Sequence, residues 1–280
     1  MKKKLVYQGC PGAFGHISAF NFADKQKDCD FYIYSVPRFE DVANEVILGN
    51  ANFGILPFEN SKTGGVIEVL DILLESDLYI IGEEIVKVVH NLLGLRGVKI
   101  EDIKTVMSHP QAISQCRGFL SFYDSKWEVI PKLNTAESAK IVSESNNKSM
   151  GAIASSFASK IYDLNIIKES INDNLNNFTR FVVVSNKPND KKNQSNKCSL
   201  IFSVSNRCGA LLEVLEIFKN NNLNLTKIES RPYPSKKFEY IFFADLEGNF
   251  TTIDMDKIFG QIVQKSRLLK ILGFYDEVKA

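Results

Sequence analysis

Up to residue 185 the chain alternates between two hydrophobic rhythms. Short runs rich in β-branched and aromatic residues, bounded by turn formers, predict strands: "KLVYQ", "FYIYSV", "FGILPF", "TVMSH", "WEVIPKL", "GAIAS", "NIIKESI" and "FVVVS". Between them, apolar residues recur at helical spacing in "HISAFNFADKQ", "FEDVANEVILG", "VIEVLDILLES", "PQAISQCRGFLSFY", "TAESAKIVSES" and "SFASKIYDL". Strand followed by helix, repeated, predicts an α/β architecture with mainly parallel pairing. The run "LYIIGEEIVKVVHNLLGL", 78–95, fits neither rhythm, because Glu83 and Glu84 interrupt its apolar content. A long strand crossing between two lobes accommodates it.

The rhythm stops at "NKPNDKKNQSNK", 186–197, which has no aliphatic or aromatic residue and reads as a solvated linker. Beyond it the order changes: strand "CSLIFSVS", helix "GALLEVLEIFKNNN", strands "LTKIESRPY" and "EYIFFADLEG", helix "DMDKIFGQIVQKSRLL", strand "KILGFYDEV". That is βαββαβ, the ferredoxin-like order, and it predicts a small domain of its own. The expected organisation is a domain over 1–185, a linker over 186–197 and a second domain over 198–280.

Composition narrows the function classes. The 280 residues carry a net charge of +1, so no global electrostatic field argues for a nucleic-acid or membrane partner. The five cysteines are scattered, odd in number and without a C-x-x-C pair, which argues against a disulfide framework and a zinc site and for a reducing cytoplasm. The start "MKKKLVYQGC" is charged like a signal peptide, but a signal needs roughly seven to fifteen apolar residues there; only Leu5, Val6 and Tyr7 follow the lysines. No apolar run approaches the ~20 residues needed to span a membrane.

Candidate chemistry lies where strands give way to helices. "GCPGAFG" (9–15), "ENSKTGG" (59–65), "SHPQ" (108–111) and "NTAES" (134–138) each place small or hydrogen-bonding residues before a helix. Free backbone N–H groups and the helix dipole suit such starts to anions, and ordinary N-capping explains the same residues. Gly64-Gly65 tips its own case toward a ligand, since paired glycines let another group approach the backbone. "GCPGAFG" matches neither the dinucleotide nor the P-loop spacing, and no G-x-S-x-G, H-E-x-x-H or EF-hand pattern occurs. If the protein is an enzyme, its chemistry is expected to need little beyond placed hydrogen bonds, with no metal or cofactor. "NNFTRF", 176–181, leads into the buried strand "VVVS" and poses the sharper question: Thr179 is either a strand former or a working hydroxyl.

These residues carry a resemblance. "YQGCPGAF", "GILPFENSKTGGVIEVLDIL", "SHPQAISQC", "NTAESAKIV", "GAIASSFASKIYDLNIIKESINDNLNNFTRF", then "GALLEVLEIF" and "IESRPYP" stand in the order and spacing of the prephenate dehydratase family across nearly the whole chain. The resemblance implies a two-lobed catalytic domain like the type II periplasmic binding proteins, followed by a C-terminal ferredoxin-like ACT domain. It implies a carbon–oxygen lyase that converts prephenate to phenylpyruvate, with loss of carbon dioxide and water, toward phenylalanine. Since no helix bundle precedes residue 1, the monofunctional form is expected. L-phenylalanine would act as feedback effector on the ACT domain of a homodimer or homotetramer.

Residue by residue, the family's essential threonine falls on Thr179. Developing negative charge on the leaving ring oxygen needs stabilising, and a threonine hydroxyl, too weak an acid to ionise, would do so by a strong hydrogen bond or a relay. The substrate's carboxylates would be met by Asn60, Ser61, Thr63 and Gly64 and by Gly12 and Ala13 of the first loop. Ser108, His109 and Gln111 would join from the opposite lobe, His109 either as proton donor or as a helix cap. If Thr179 and Phe181 face the cleft, strand alternation points Arg180 the other way, so that Arg180 either pins the lobes or touches substrate. The effector would sit on Asn206, Gly209, Ala210, Leu211 and Leu212, with Glu229, Ser230, Arg231 and Pro232 placed against "GALL" of a partner chain and Glu229 meeting the ammonium.

Three departures stand out: Gly15 for a serine or threonine, Phe58 for an aliphatic residue, and Cys208 for the proline before "GAL". An active dehydratase acting on prephenate, one acting on arogenate, a solute-binding sensor with the same cleft, and an inactive phenylalanine-binding paralogue are the alternatives to be separated.

Overall fold

The computed structural model describes residues 2–189, 194–233 and 239–278. The first sheet takes its strands from β1 (Lys3–Gln8), β2 (Phe31–Val36), β3 (Phe53–Asn60), β4 (Gly64–Gly65), β5 (Tyr79–Lys87) and β11 (Phe178–Ser185). Their order is β2-β1-β3-β11-β5, with β4 on β3. Helices α1 (Phe14–Lys25), α2 (Phe39–Ile47) and α3 (Ile67–Glu75) connect them. The second sheet, in order β10-β6-β9-β7-β8, is built from β6 (Asn91–Gly94), β7 (Thr105–Ser108), β8 (Glu128–Pro131), β9 (Met150–Ala154) and β10 (Asn165–Lys168). Between its strands run α4 (Pro110–Gln115), α5 (Arg117–Ser121), α6 (Thr135–Ser145) and α7 (Ser156–Ile161). Pairing is parallel for β1 with β2 and for β7 with β8 and β9, as strand–helix alternation requires. β11 lies between β3 and β5 and is buried from Arg180 to Ser185, which explains its continuous apolar run.

The third sheet, β13-β14-β12-β15, is antiparallel and uses β12 (Lys197–Val204), β13 (Asn224–Pro232), β14 (Tyr240–Glu247) and β15 (Ser266–Tyr275), with α8 (Ala210–Asn220) and α9 (Met255–Lys265). This is the βαββαβ order expected from the sequence. Alternation along β12 decides its two faces. Cys198, Leu200 and Phe202 join Val214, Phe218, Ile258 and Ile262 in one core with the helices. Lys197 and Ser199 belong to the other face.

The chain contacts group into two units. One comprises Met1–Val42, Ile55–Gly64 and Ile85–Phe181; the other comprises Ala43–Gly54, Gly65–Glu84 and Val182–Ala280. In the second unit the polar face of the four-stranded sheet meets residues 65–84. The buried Lys197 ammonium lies 3.1 Å from the Glu83 carboxylate. Lys270 donates to the carbonyls of Leu74 and Ser76 at the C-terminal end of α3, a favourable place for a cation. Arg231 donates to both carboxylate oxygens of Asp71 at 3.1 Å. Gly273 passes so close to β5 that an added Cβ would stand 2.0 Å from the Ile80 carbonyl oxygen. Ser199 donates to Asp245 (2.5 Å) and shares a hydrogen bond with the Tyr275 hydroxyl (2.6 Å), so the buried carboxylate is solvated from within.

Four local expectations meet tertiary corrections. The ambiguous 78–95 run is two strands in different sheets, β5 and β6, interrupted at 88–90. The helix expected over 110–123 breaks at Cys116, where Asp173 takes the Gly118 N–H and gives its own N–H to the Gln115 carbonyl. "SRLL" (266–269) belongs to β15, because pairing along the whole of β12 outweighs its helical pattern. Of the expected linker, 190–193 lies outside the described residues; Asn196 bonds to Gly248 and Glu277, and Lys197 opens β12. Among the described residues no helix is long and apolar enough to cross a membrane.

Candidate active site

Asn60, the last residue of β3, organises the site. Its Oδ1 accepts from the backbone N–H groups of Lys62 (2.9 Å) and Thr63 (3.3 Å), an Asx turn. Backbone N–H groups only donate, so the amide can be placed one way, with Nδ2 toward β11. There Nδ2 reaches Asn177 Oδ1 (2.8 Å), the Phe178 carbonyl (3.0 Å) and Thr179 Oγ1 (3.0 Å). An amide nitrogen accepts nothing, so Thr179 Oγ1 must accept from it. The threonine's own hydrogen is left to donate, and no acceptor among the described residues takes it. Ser61 brackets the same point: its N–H donates to the Phe178 carbonyl (2.9 Å) and its hydroxyl accepts from the Phe178 N–H (3.0 Å).

The orientation propagates. With Oδ1 turned to Asn60, the buried Asn177 points Nδ2 at Gln115 Oε1 (3.1 Å). The same Oε1 lies 3.0 Å from Nε2 of the buried His90. Gln115 ends α4 where Cys116 breaks the helix, and His90 stands in the gap between β5 and β6. Burial lowers the His90 pKa below the usual imidazole value, against a smaller raising effect of the Gln115 hydrogen bond.

The first loop closes on the second sheet's elements. Ser155 donates to the Gly12 carbonyl (2.8 Å) and Tyr162 to the Pro11 carbonyl (2.8 Å). Gly12 has φ +91°, and an added Cβ would sit 2.9 Å from the Ala158 backbone, so only glycine permits this approach. Its N–H donates to His16 Nδ1 (3.0 Å), and His16 stacks on Tyr7 at 4.9 Å. Burial pushes the Tyr162 phenol up to about 12, so it remains a donor at neutral pH. Gly15 has the Gln8 carbonyl 3.3 Å from where a Cβ would be.

The helix starts separate into two kinds. His109, Asn134 and Ser155 cap α4, α6 and α7 with their own side chains, accepting from Gln111, Glu137 and Ala158. By contrast α1, entered through Ala13, and α3, entered after Gly64-Gly65, have no side-chain cap. Their first N–H groups suit them to an anion. Gly64 adopts φ +79° with open space beyond its Cα.

The remaining expected site residues fall into place as follows. Ser108 is fully buried and donates to the Ile153 carbonyl (2.6 Å), a bond that joins β7 to β9. His109 uses Nδ1 on the Gln111 N–H (3.2 Å), and burial lowers its pKa. Gln111 is exposed and lies one turn before Gln115. Arg180 is buried, 2.8 Å from Glu59 and with its guanidinium 4.7 Å over the Phe58 ring; Phe181 is buried beside it. The phenylalanine at 58 therefore supplies a face for the cation. Asn177, Gln115, His90 and Glu59 were given no role from the sequence. Asn177, Gln115 and Glu59 stood inside "NNFTRF", "SHPQAISQC" and "ENSKTGG", and His90 inside the ambiguous 78–95 run, but only the fold gives each its partner.

In the C-terminal module Asn206 and Gly209 are exposed, and Gly209 (φ 79°) enters α8 without a side-chain cap. Ala210 is buried, Leu211 half-buried and Leu212 exposed. Along β13, Ser230 and Pro232 face solvent, whereas Glu229 and Arg231 turn inward. Glu229 pairs with Lys227 at 2.8 Å and lies over Gly65, where an added Cβ would stand 2.3 Å from its carboxylate.

Comparison with known proteins locates this arrangement. The family model described as prephenate dehydratase matches residues 5–189. A prephenate dehydratase of Methanocaldococcus jannaschii is 35% identical over 98% of each chain. A bifunctional chorismate mutase/prephenate dehydratase of Aquifex aeolicus is 37% identical over 98% of this chain and 74% of its own. Among solved structures, a prephenate dehydratase of Arthrobacter aurescens in complex with L-Phe superposes with TM-score 0.84 at 26% identity, covering 98% of this chain and 90% of that one. GqqA, described as a novel type of quorum-quenching acylase, has the same TM-score at 28% identity, covering 98% and 97%.

Proposed function

The chain belongs to the prephenate dehydratase family and is an enzyme of that activity, and on that premise we propose the course of its reaction and its control. The substrate binds with its carboxylates at the uncapped start of α1 and over the open backbone of Gly64. The bond from the ring to its carboxylate breaks to release carbon dioxide, and its electron pair flows through the ring to expel the ring oxygen. The ring oxygen departs as hydroxide and takes a proton from solvent to become water, and the ring becomes aromatic. Thr179 donates its hydrogen bond to the departing oxygen.

One observation carries this reading: Asn60 makes Thr179 Oγ1 an acceptor and so leaves the hydroxyl hydrogen available to donate elsewhere. A donor held in place before the reaction costs no reorganisation as charge develops. The same bond polarises the hydroxyl without deprotonating it. The test is turnover of prephenate, followed by phenylpyruvate absorbance in alkali, in wild type, Thr179→Ser and Thr179→Val, with arogenate assayed in parallel. Serine should retain most of kcat, and valine, which matches the shape, should lower it about 10²–10³-fold. A valine variant with wild-type kcat would overturn the role.

Feedback by phenylalanine through the C-terminal module is the second part of the proposal. Support comes from the uncapped start of α8 and from the hold the module has on α3. Glu229 lies over Gly65, Arg231 grips Asp71 and Lys270 caps the far end. Because α3 begins directly after the Gly64-Gly65 segment, an effector that shifts β13 acts on the chain leading out of that segment. Exposed Leu212 and Ile228 on α8 and β13 favour a second copy of the chain against this module.

A further inference from the structure

We propose that His90 is a positioning residue for the reaction: its Nε2–H fixes Gln115 so that the Gln115 side-chain nitrogen stays an unclaimed donor for a substrate oxygen. The inference rests on the dehydratase reading for its chemistry, but the hydrogen-bond chain behind it stands on geometry alone. Four side chains from four separate segments are linked, and one end is anchored by backbone. Lys62 and Thr63 N–H groups set Asn60 Oδ1; Asn60 Nδ2 sets Asn177 Oδ1; Asn177 Nδ2 sets Gln115 Oε1. An oxygen accepting at Gln115 leaves His90 Nε2, 3.0 Å away, only the role of donor.

The imidazole cannot escape that role by moving. Its backbone N–H donates to Asn172 Oδ1 (2.6 Å), its carbonyl accepts from the Ile171 N–H (2.9 Å), and the Phe14 ring stands edge-on at 5.7 Å. Nδ1 is buried with no partner among the described residues. The other tautomer would bury an N–H without an acceptor and set a lone pair against Gln115 Oε1, two unfavourable changes at once. Protonation would also place that orphan N–H in the interior, in keeping with the lowered pKa. Gln115, half-buried, has no partner for its side-chain nitrogen among the described residues. A flip of this amide would exchange donor for acceptor at the substrate and break both inner bonds.

Two measurements test this on the full-length protein. Long-range ¹H–¹⁵N correlation of ¹⁵N-histidine protein reads the tautomer directly. His16 and His109, whose Nδ1 atoms accept backbone N–H groups, serve as internal standards. The expected state is Nε2–H at His90; an Nδ1–H tautomer overturns the proposal. In the second, His90→Leu should lower kcat/KM about tenfold or more, and His90→Gln, which keeps an N–H at similar reach, should return it to within about threefold. The pair His90→Leu and Gln115→Leu should be no slower than Gln115→Leu alone, because one acts through the other. Additive losses, or a glutamine variant as slow as the leucine one, overturn it. Wild-type protein inert toward prephenate and arogenate would sink the dehydratase reading instead, and the tautomer would still decide the hydrogen-bond chain.

Discussion

Asn60→Asp changes the chemistry of one side-chain terminus and almost nothing of its shape, yet should cripple the enzyme. One carboxylate oxygen can still accept from Lys62 and Thr63, so the turn survives. The other oxygen replaces the NH₂ that now serves Asn177 Oδ1, the Phe178 carbonyl and Thr179 Oγ1. Two N–H donors disappear and leave acceptors unpaired against a carboxylate, at about 1–3 kcal/mol each, so the fold loses about 2–6 kcal/mol. In a domain of this size that lowers Tm by at least roughly 4–8 °C. The larger effect is on catalysis. Thr179 now faces an anion, and its hydroxyl rotates to donate to the new carboxylate, which removes the hydrogen from the substrate side. Loss of one preorganised donor costs about 10²–10³ in kcat. Steady-state turnover and thermal melting, run on the same preparations, separate the two effects. A folded Asn60→Asp variant with kcat within about threefold of wild type would refute the assignment of Asn60 as the group that aims Thr179.

Two further outcomes follow from the same contacts. Burial lowers the pKa of His16, His90 and His109 below the unfolded value of about 6.5, so the unfolded chain binds more protons as pH falls. Stability should therefore hold above about pH 6.5 and decline below it, by at most about 1.4 kcal/mol per pH unit for each histidine. Melting curves of His90→Gln should decline less steeply than wild type between about pH 6.5 and 5; parallel curves would contradict the buried, neutral His90. Asp71→Asn removes the charge and one acceptor oxygen from the Arg231 grip on α3. It should change basal turnover less than about twofold and raise the phenylalanine concentration for half-inhibition at least about threefold, and an unchanged inhibition curve would exclude α3 as the route.

Much of the fold was legible because it is local. Period-two and period-3.6 patterns follow from backbone geometry, so strand–helix alternation up to residue 185 and the βαββαβ order after it could be read without knowing any contact. Thr179, Asn60 and Ser61 were reached through short motifs, and the structure bonds Asn60 to Thr179 and Ser61 to the neighbouring Phe178 backbone. The ends of elements were less readable. The break at Cys116 depends on Asp173, and the strand character of "SRLL" depends on β12, partners far away along the chain.

What a polar residue does was decided only in three dimensions. Ser108 and Asn60 look alike as hydrogen-bonding residues at strand ends, but Ser108 is turned into the sheet and Asn60 toward Thr179. Lys197 reads as the end of a solvated tether and is buried against Glu83. His90 lies inside the ambiguous run 78–95 with no role that the pattern assigns; only when β6, α4 and β11 are assembled does it acquire Gln115 and, through it, Asn177. The physical reason is that propensity acts over a few residues, whereas burial forces each polar atom to find a partner wherever the fold supplies one. The sequence determined which elements form and in what order. The tertiary structure determined which atoms donate, which accept, and so which hydroxyl hydrogen is left to meet a substrate.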